Sequence, residues 1–189
     1  MSWLRRLLPG TEPAKSKNAR DISRLRDGGK TLTKEVQALL KRTIAELPEI
    51  IKAHRQDVYE AACRCIAVGG DQQVLYRALA KIEGLPKTRA IEICLFLNRR
   101  ANAQIDKEQK MALGLSGAIW VYAGAPCFFS DNPTPAEIEQ DASHCAANGK
   151  KFDVSKGLFI DGKWTWPGVE RGCKCALRSV LPDFENFDQ

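Results

Sequence analysis

An α+β fold is predicted for this chain of 189 residues: an N-terminal helical half with one long helix, then a small C-terminal sheet and hairpin unit. Three observations predict it. From Thr33 to Leu113 apolar residues recur at helical spacing, with Pro48, Gly69-Gly70, Gly84 and Gly114 as punctuation. From Ala118 onward the apolar runs are short and bounded by turn residues. All helical patterns but one precede the strands, which is the order of an α+β chain rather than of alternating βαβ units.

The elements follow in order. Residues 1–30 read as a basic flexible arm carrying an amphipathic anchor: Trp3, Leu4, Leu7 and Leu8 form one apolar edge beside Arg5 and Arg6, and Pro9-Gly10 stops it. Residues 31–114 form the helical domain. Thr33 caps a helix whose stripe is Val36, Leu39, Leu40, Ile44 and Leu47. Pro48 ends that helix and opens a second, Glu49–Val68. Asp71 caps a third, Gln72–Glu83, and the fourth runs from about Pro86 to Leu113 with Ile91, Leu95, Ala101 and Ile105 as its apolar positions. Residues 115–182 form a small α+β domain containing Cys and His. In it, Ala118–Ala123 reads as a strand, and Thr134 with Glu137 as a capping box for a helix reaching Asn148. Phe152–Val154 is a short strand, Phe159–Trp164 a hairpin turning on Asp161-Gly162, and Cys173–Val180 the last strand. Residues 183–189 are an acidic tail.

Composition is that of a globular chain, with 44% hydrophobic and 28% charged residues. The longest apolar candidate, Ile91–Leu97, is interrupted by Glu92, so no membrane span is expected. The start has too short an apolar core for a secretory signal, and a reducing cytoplasm is the expected place of synthesis. Net charge is +6, placed unevenly: residues 1–42 carry 11 Lys/Arg against 4 Asp/Glu, and the remainder 18 against 19. A neutral body with a basic arm suits an acidic partner, and any DNA contact through the arm is expected to be non-specific. A solvated tail would have the same composition.

In a reducing compartment, seven cysteines read as packing thiols, redox thiols or metal ligands before disulfides. The richest constellation is Cys127, His144, Cys173 and Cys175. Residues i and i+2 of a strand share a face, so Cys173 and Cys175 in the last strand can converge on one point. A tetrahedral zinc places its sulfurs roughly 3.8 Å apart, which two such thiols can reach. Cys127 in a loop and His144 late in a helix complete a Cys₃His set, a structural zinc site with no open position. Cys145 lies about 100° around the helix from His144, so one of the two faces the metal and the other does not. Scattered buried thiols and a satisfied histidine are the competing reading. Cys63 and Cys65 diverge on their helix and, with Cys94, read as packing thiols.

No catalytic set is expected. A Cys/His nucleophile would need His144 oriented as a base, and no motif supplies that. Glu137 and Asp141 share a helix face that reads as solvated. There is no P-loop, GxGxxG or serine elbow, and no small-molecule substrate is implied. Phe159, Trp164 and Trp166 could stack bases, although hairpin aromatics are more often core.

The second half resembles the Mu-F-like phage head morphogenesis family, the minor head proteins of tailed phages. The resemblance rests on Arg89–Ile93 and Asn98–Ala103 in the long helix, and on the Gly114-to-Trp120 passage into a strand. It continues through His144 before Gly149-Lys150 and Phe152, then Pro167-Gly168, then Gly172-Cys173-Lys174-Cys175 ahead of Val180-Leu181-Pro182. It covers roughly residues 86–182. The family's Arg-Thr-Glu element is absent from Leu95–Arg100, and its Cys-x-x-Cys would fall on Asp141 and His144. The resemblance implies a non-enzymatic minor capsid protein of the virion head. Such a protein acts in procapsid assembly near the portal, with portal or major capsid protein as partner and packaged DNA as a further contact. A zinc-stapled DNA-binding or adaptor protein and a thiol-dependent enzyme are the alternatives.

Overall fold

A computed structural model describes residues 32–181. The anchor residues Trp3, Leu4, Arg5, Arg6, Leu7 and Leu8, the rest of the arm and the acidic tail lie outside the described residues. The architecture is α+β, as expected. Helices α1 (Lys34–Glu46), α2 (Arg55–Ala67), α3 (Gln72–Leu79) and α4 (Lys87–Ala112) come first. Then come β1 (Gly117–Val121), α5 (Pro135–Ala146), β2 (Lys151–Asp153), β3 (Leu158–Ile160), β4 (Lys163–Thr165) and β5 (Ala176–Val180). Among the described residues no helix is long and apolar enough to cross a membrane.

Local chemistry sets the helix ends. Thr33 accepts from the Val36 N–H at 3.2 Å and caps α1, whose buried stripe is Val36, Leu40 and Ile44, with Leu47 buried just past its end. Leu39 is only half-buried. The α region is disfavoured for a residue before proline, and Leu47 is extended at φ −82°, ψ 114°. The second helix therefore does not begin at Glu49. A turn through Ile50 and a short 3₁₀ segment, Lys52–His54, intervene, and α2 starts at Arg55. Arg55 compensates by donating to the carbonyls of Ala45 (3.1 Å) and Ile50 (3.3 Å), acceptors that lack a helical partner.

The third helix stops at Leu79, short of Glu83. Its continuation tightens into i→i+3 bonds, Lys81 to Ala78 and Ile82 to Leu79, which turn Ile82 into the core. On α4 the buried seam is Ala90, Ile93, Cys94, Leu97, Ala101 and Ile105. Ile91, expected in that seam, is 48% exposed, and Leu95 is half-buried. Ala101 and Ile105 are buried as expected, and in the first half of the helix the 3- and 4-residue steps from Ala90 through Ile93, Cys94 and Leu97 carry the contact stripe instead.

In the second half β1 is central. It pairs antiparallel with β2 (Ala118 opposite Phe152) and with β5 (Trp120 opposite Leu177). β3 and β4 form a separate hairpin, and Asp161 (φ 50°) with Gly162 (φ 75°) gives the left-handed two-residue turn that the Asp-Gly pair encodes. Helix α5 carries the full capping box, Thr134 with Glu137. Buried side chains fall into two clusters, one among α1–α4 and one in the second half around Trp120. Arg171 bridges them by pairing with Glu92 of α4 at 3.1 Å.

Candidate metal centre

Three segments far apart in sequence bring Cys127, His144, Cys173 and Cys175 together. Their ligating atoms all lie within 4.8 Å of one another. Cys127 Sγ is 3.6 Å from Cys175 Sγ, and Cys175 Sγ is 3.8 Å from His144 Nδ1. A disulfide requires about 2.05 Å, so these are free thiols. These two spacings match the edge of a tetrahedron around one metal, roughly 3.8 Å, and the whole set lies close enough to close on one ion with small side-chain rotations. All four side chains are buried.

The route by which the thiols converge differs from the expected one. Cys173 and Cys175 do not sit on a strand, because β5 begins only at Ala176. They lie on a turn closed by the Cys173 N–H bonding to the Glu170 carbonyl at 3.1 Å. Gly172 makes that turn possible. Its φ is +78°, and a Cβ there would sit 2.6 Å from the Cys127 carbonyl oxygen and 2.8 Å from the Phe128 Cα. The turn thus presses on the Cys127 loop and delivers two thiols to a third.

Hydrogen bonds fix each donor in place. The Gly168 N–H donates to Cys173 Sγ at 3.3 Å, and Arg99 of α4 donates to the Cys173 carbonyl at 3.4 Å. The Asp141 carboxylate accepts from the Cys127 N–H at 2.7 Å and from the Tyr122 hydroxyl at 2.8 Å. Gln140 donates to the carbonyls of Cys127 and Arg171 at 3.2 and 2.9 Å. Asp141, read from sequence as part of a solvated face, is therefore a support of the site, whereas Glu137 serves the capping box. These supports were not legible in the sequence, since most join a side chain to backbone groups of another segment. Trp120 covers the imidazole edge-on, with ring centroids 5.1 Å apart.

On the helix His144 is 1% exposed and faces the cluster, and Cys145 is exposed. The choice between them, open in the sequence, falls to His144. Cys63, Cys65 and Cys94 are buried in the helical core. Burial pushes Cys65 up to about 11 and Cys94 up to about 12, so both stay protonated and inert at neutral pH.

The electrostatics of the cluster differ from that. Hydrogen bonds from Cys173 and Cys175 outweigh burial and hold Cys127 far below the ordinary thiol range. Cys175, sharing the same site, is pushed up by its hydrogen bonds to Cys127 and Cys173. Burial works against charge on His144, but its hydrogen bonds with Cys127 and Cys173 raise it to about 10. One thiolate is thus already favoured by the protein alone. Three sulfurs and one imidazole suit a soft, tetrahedral metal and leave no protein-free position on it.

Of the hairpin aromatics, Trp166 is buried, while Phe159 and Trp164 are 55% and 61% exposed. No protein-family model, no curated protein and no solved structure matches this chain.

Proposed function

We propose that the chain is a non-enzymatic structural protein whose C-terminal unit is stapled by one zinc ion, and that it serves as a minor head protein of a tailed phage. The convergence of four buried donors carries the zinc reading. Cys127, His144, Cys173 and Cys175 would hold the ion, and its contribution would be to fold the unit, as full protein coordination leaves no place for a water. The same burial speaks against a thiol nucleophile, since a substrate could not reach Cys127 or Cys173, both 0% exposed.

The head-protein reading is supported by where the resembling residues fall. His144, Gly149-Lys150, Phe152, Pro167-Gly168 and the Cys173-x-Cys175 turn all belong to the unit built around the metal centre. The protein would act near the portal, binding portal or major capsid protein through its helical half and arm.

Two measurements test this. Elemental analysis of protein purified without chelator should give about one zinc per chain, and metal-free or iron-loaded protein would overturn the zinc reading. Mass spectrometry of particles made by the genome that encodes the chain should place it in procapsids or heads. Its absence from both would overturn the head-protein reading.

A further inference from the structure

Between α1, α4 and the β3–β4 hairpin runs a groove of about 210 Å³. Four cations line it, Arg42, Arg100, Lys107 and Lys156, and no acidic residue does. None of the four is ion-paired among the described residues. Of the nearby carboxylates, Asp153 lies close enough to Lys156 to interact with it while accepting from Ser155, and two more are engaged elsewhere. Glu108 accepts from Thr33 at 2.8 Å and Gln104 at 2.7 Å, and Glu170 accepts from Thr165 at 3.1 Å and pairs with Lys163 at 3.0 Å. Four positive charges brought together from three distant segments repel one another unless an anion joins them.

Aromatic faces interleave with the charges. Arg100 stacks over Phe96 at 5.5 Å, and its Nε has no acceptor among the described residues. Lys107 lies over the Trp166 ring at 5.8 Å. At the groove's rim Trp164 is 61% exposed, held edge-to-face by Phe159 with centroids 5.4 Å apart. Trp164 and Phe159 thus form an exposed aromatic pair beside the basic channel. It is the arrangement in which a phosphate backbone follows the cations and a base stacks on the ring.

We propose that this groove binds single-stranded nucleic acid, with Arg42, Arg100, Lys107 and Lys156 contacting phosphates and Trp164 stacking a base. A duplex keeps its base faces inside the stack and cannot offer one to Trp164 without unstacking, which favours the single strand. No groove residue is set up to read base edges, so recognition is independent of sequence. The site lies in the described body, is distinct from the basic arm, and goes beyond the head-protein reading without resting on it.

The test uses the full chain with labelled oligothymidylate and oligouridylate of about 15 nucleotides, the upper range for a compact single-strand site. Arg42→Glu/Lys107→Gln/Lys156→Glu should weaken binding of both at least about tenfold and flatten the salt dependence by about 2 in log–log slope, at about 0.7 per lost phosphate contact. Trp164→Ala should cost about tenfold for either strand and little for a duplex of equal length. Binding should quench tryptophan fluorescence, and Trp164→Phe should reduce that quenching, leaving only what Trp166 at the same groove contributes. Zinc content and melting temperature of each variant verify folding, so a failure here is separable from failure of the zinc or head-protein readings. Wild-type affinity in both the charge variant and Trp164→Ala would overturn the proposal. So would a duplex bound more tightly than the single strands, or displacement of oligothymidylate by an equal concentration of polyglutamate.

Discussion

The helical half buries Val36, Leu40, Ile44, Ile50, Ile66, Leu75, Leu79, Ile93 and Leu97, each worth about 1.5–3 kcal/mol on leaving water. The buried cluster of the C-terminal unit holds only two branched aliphatics, Val154 and Ile160, beside Trp120, Phe152 and Trp166 and three thiols of the candidate metal centre. Its aromatics meet edge-to-face, Trp120 with Phe152 at 6.3 Å and Phe152 with Trp166 at 5.7 Å. The difference teaches that a long chain of helices can be closed by apolar packing alone. A unit of short strands and loops has too little aliphatic side chain for that, and places its most specific contacts at one polar point.

The sharpest way to break that comparison is to remove the proposed metal. Chelation, or Cys175→Ser, should forfeit a contribution on the order of 10 kcal/mol and unfold the C-terminal unit while α1–α4 persist. Hydrogen exchange read by mass spectrometry checks this, and simultaneous loss of protection in both halves would mean that they form one cooperative unit. Exposed Cys145 serves as the control: Cys145→Ser should keep the metal and shift stability by less than about 0.5 kcal/mol.

The reciprocal experiment attacks the apolar half. Leu79 is 0% exposed, so Leu79→Ala should cost about 2–5 kcal/mol in chemical denaturation. Zinc content should not change, because Leu79 belongs to the other cluster.

A smaller effect is expected at Gly172, whose left-handed φ and contact with the Cys127 carbonyl shape the ligand turn. Gly172→Ala should cost about 1–3 kcal/mol of backbone strain and weaken metal affinity roughly 10- to 100-fold in competition with a chromogenic chelator. Unchanged affinity would show that the turn has slack that the close contacts do not suggest.

The smallest effect concerns pH and the helical half. Burial opposes ionisation of Glu49, but its 2.5 Å hydrogen bond from Arg89 outweighs this and lowers its pKa. A carboxyl with a lowered folded-state pKa contributes stability above the unfolded value of about 4.3, lost as pH falls through the folded value. The contribution is about 1 kcal/mol, the upper end for a surface ion pair, because both side chains are partly buried. Glu49→Gln should therefore lower the thermal midpoint slightly at pH 7, with the difference shrinking below pH 4. An acid-independent difference would locate the loss in packing instead.

Much of the fold was legible because it rests on local chemistry. Thr33, the Thr134–Glu137 box, Asp71, and the Asp161-Gly162 turn act within four residues of themselves, where sequence spacing is spatial spacing. Errors arose where a neighbour at a distance decided. Arg55 made a broken start to α2 affordable by reaching back to Ala45. The tightening after Leu79 was favoured by the place available to Ile82 in the core. On α4 Ala101 and Ile105 are in the core as expected, whereas Ile91 and Leu95 are not, because Ile91 and Ala90 are equally compatible with a helix and only the packed neighbours select between them.

The metal centre divides along the same line. Sequence by itself offered the candidate donors, since soft tetrahedral coordination needs thiols and imidazole, and Cys127, His144 or Cys145, Cys173 and Cys175 lie in the half that lacks aliphatic core. Tertiary structure alone decided that His144 rather than Cys145 turns inward. It also decided that Cys173 and Cys175 converge through a glycine turn rather than a strand, and that Gln140 and Asp141 hold the Cys127 loop. The physical reason is that donor chemistry belongs to the side chain and is written residue by residue. Donor direction is fixed by backbone hydrogen bonds and close contacts between segments 13 to 48 residues apart, and these exist only once the chain has closed on itself.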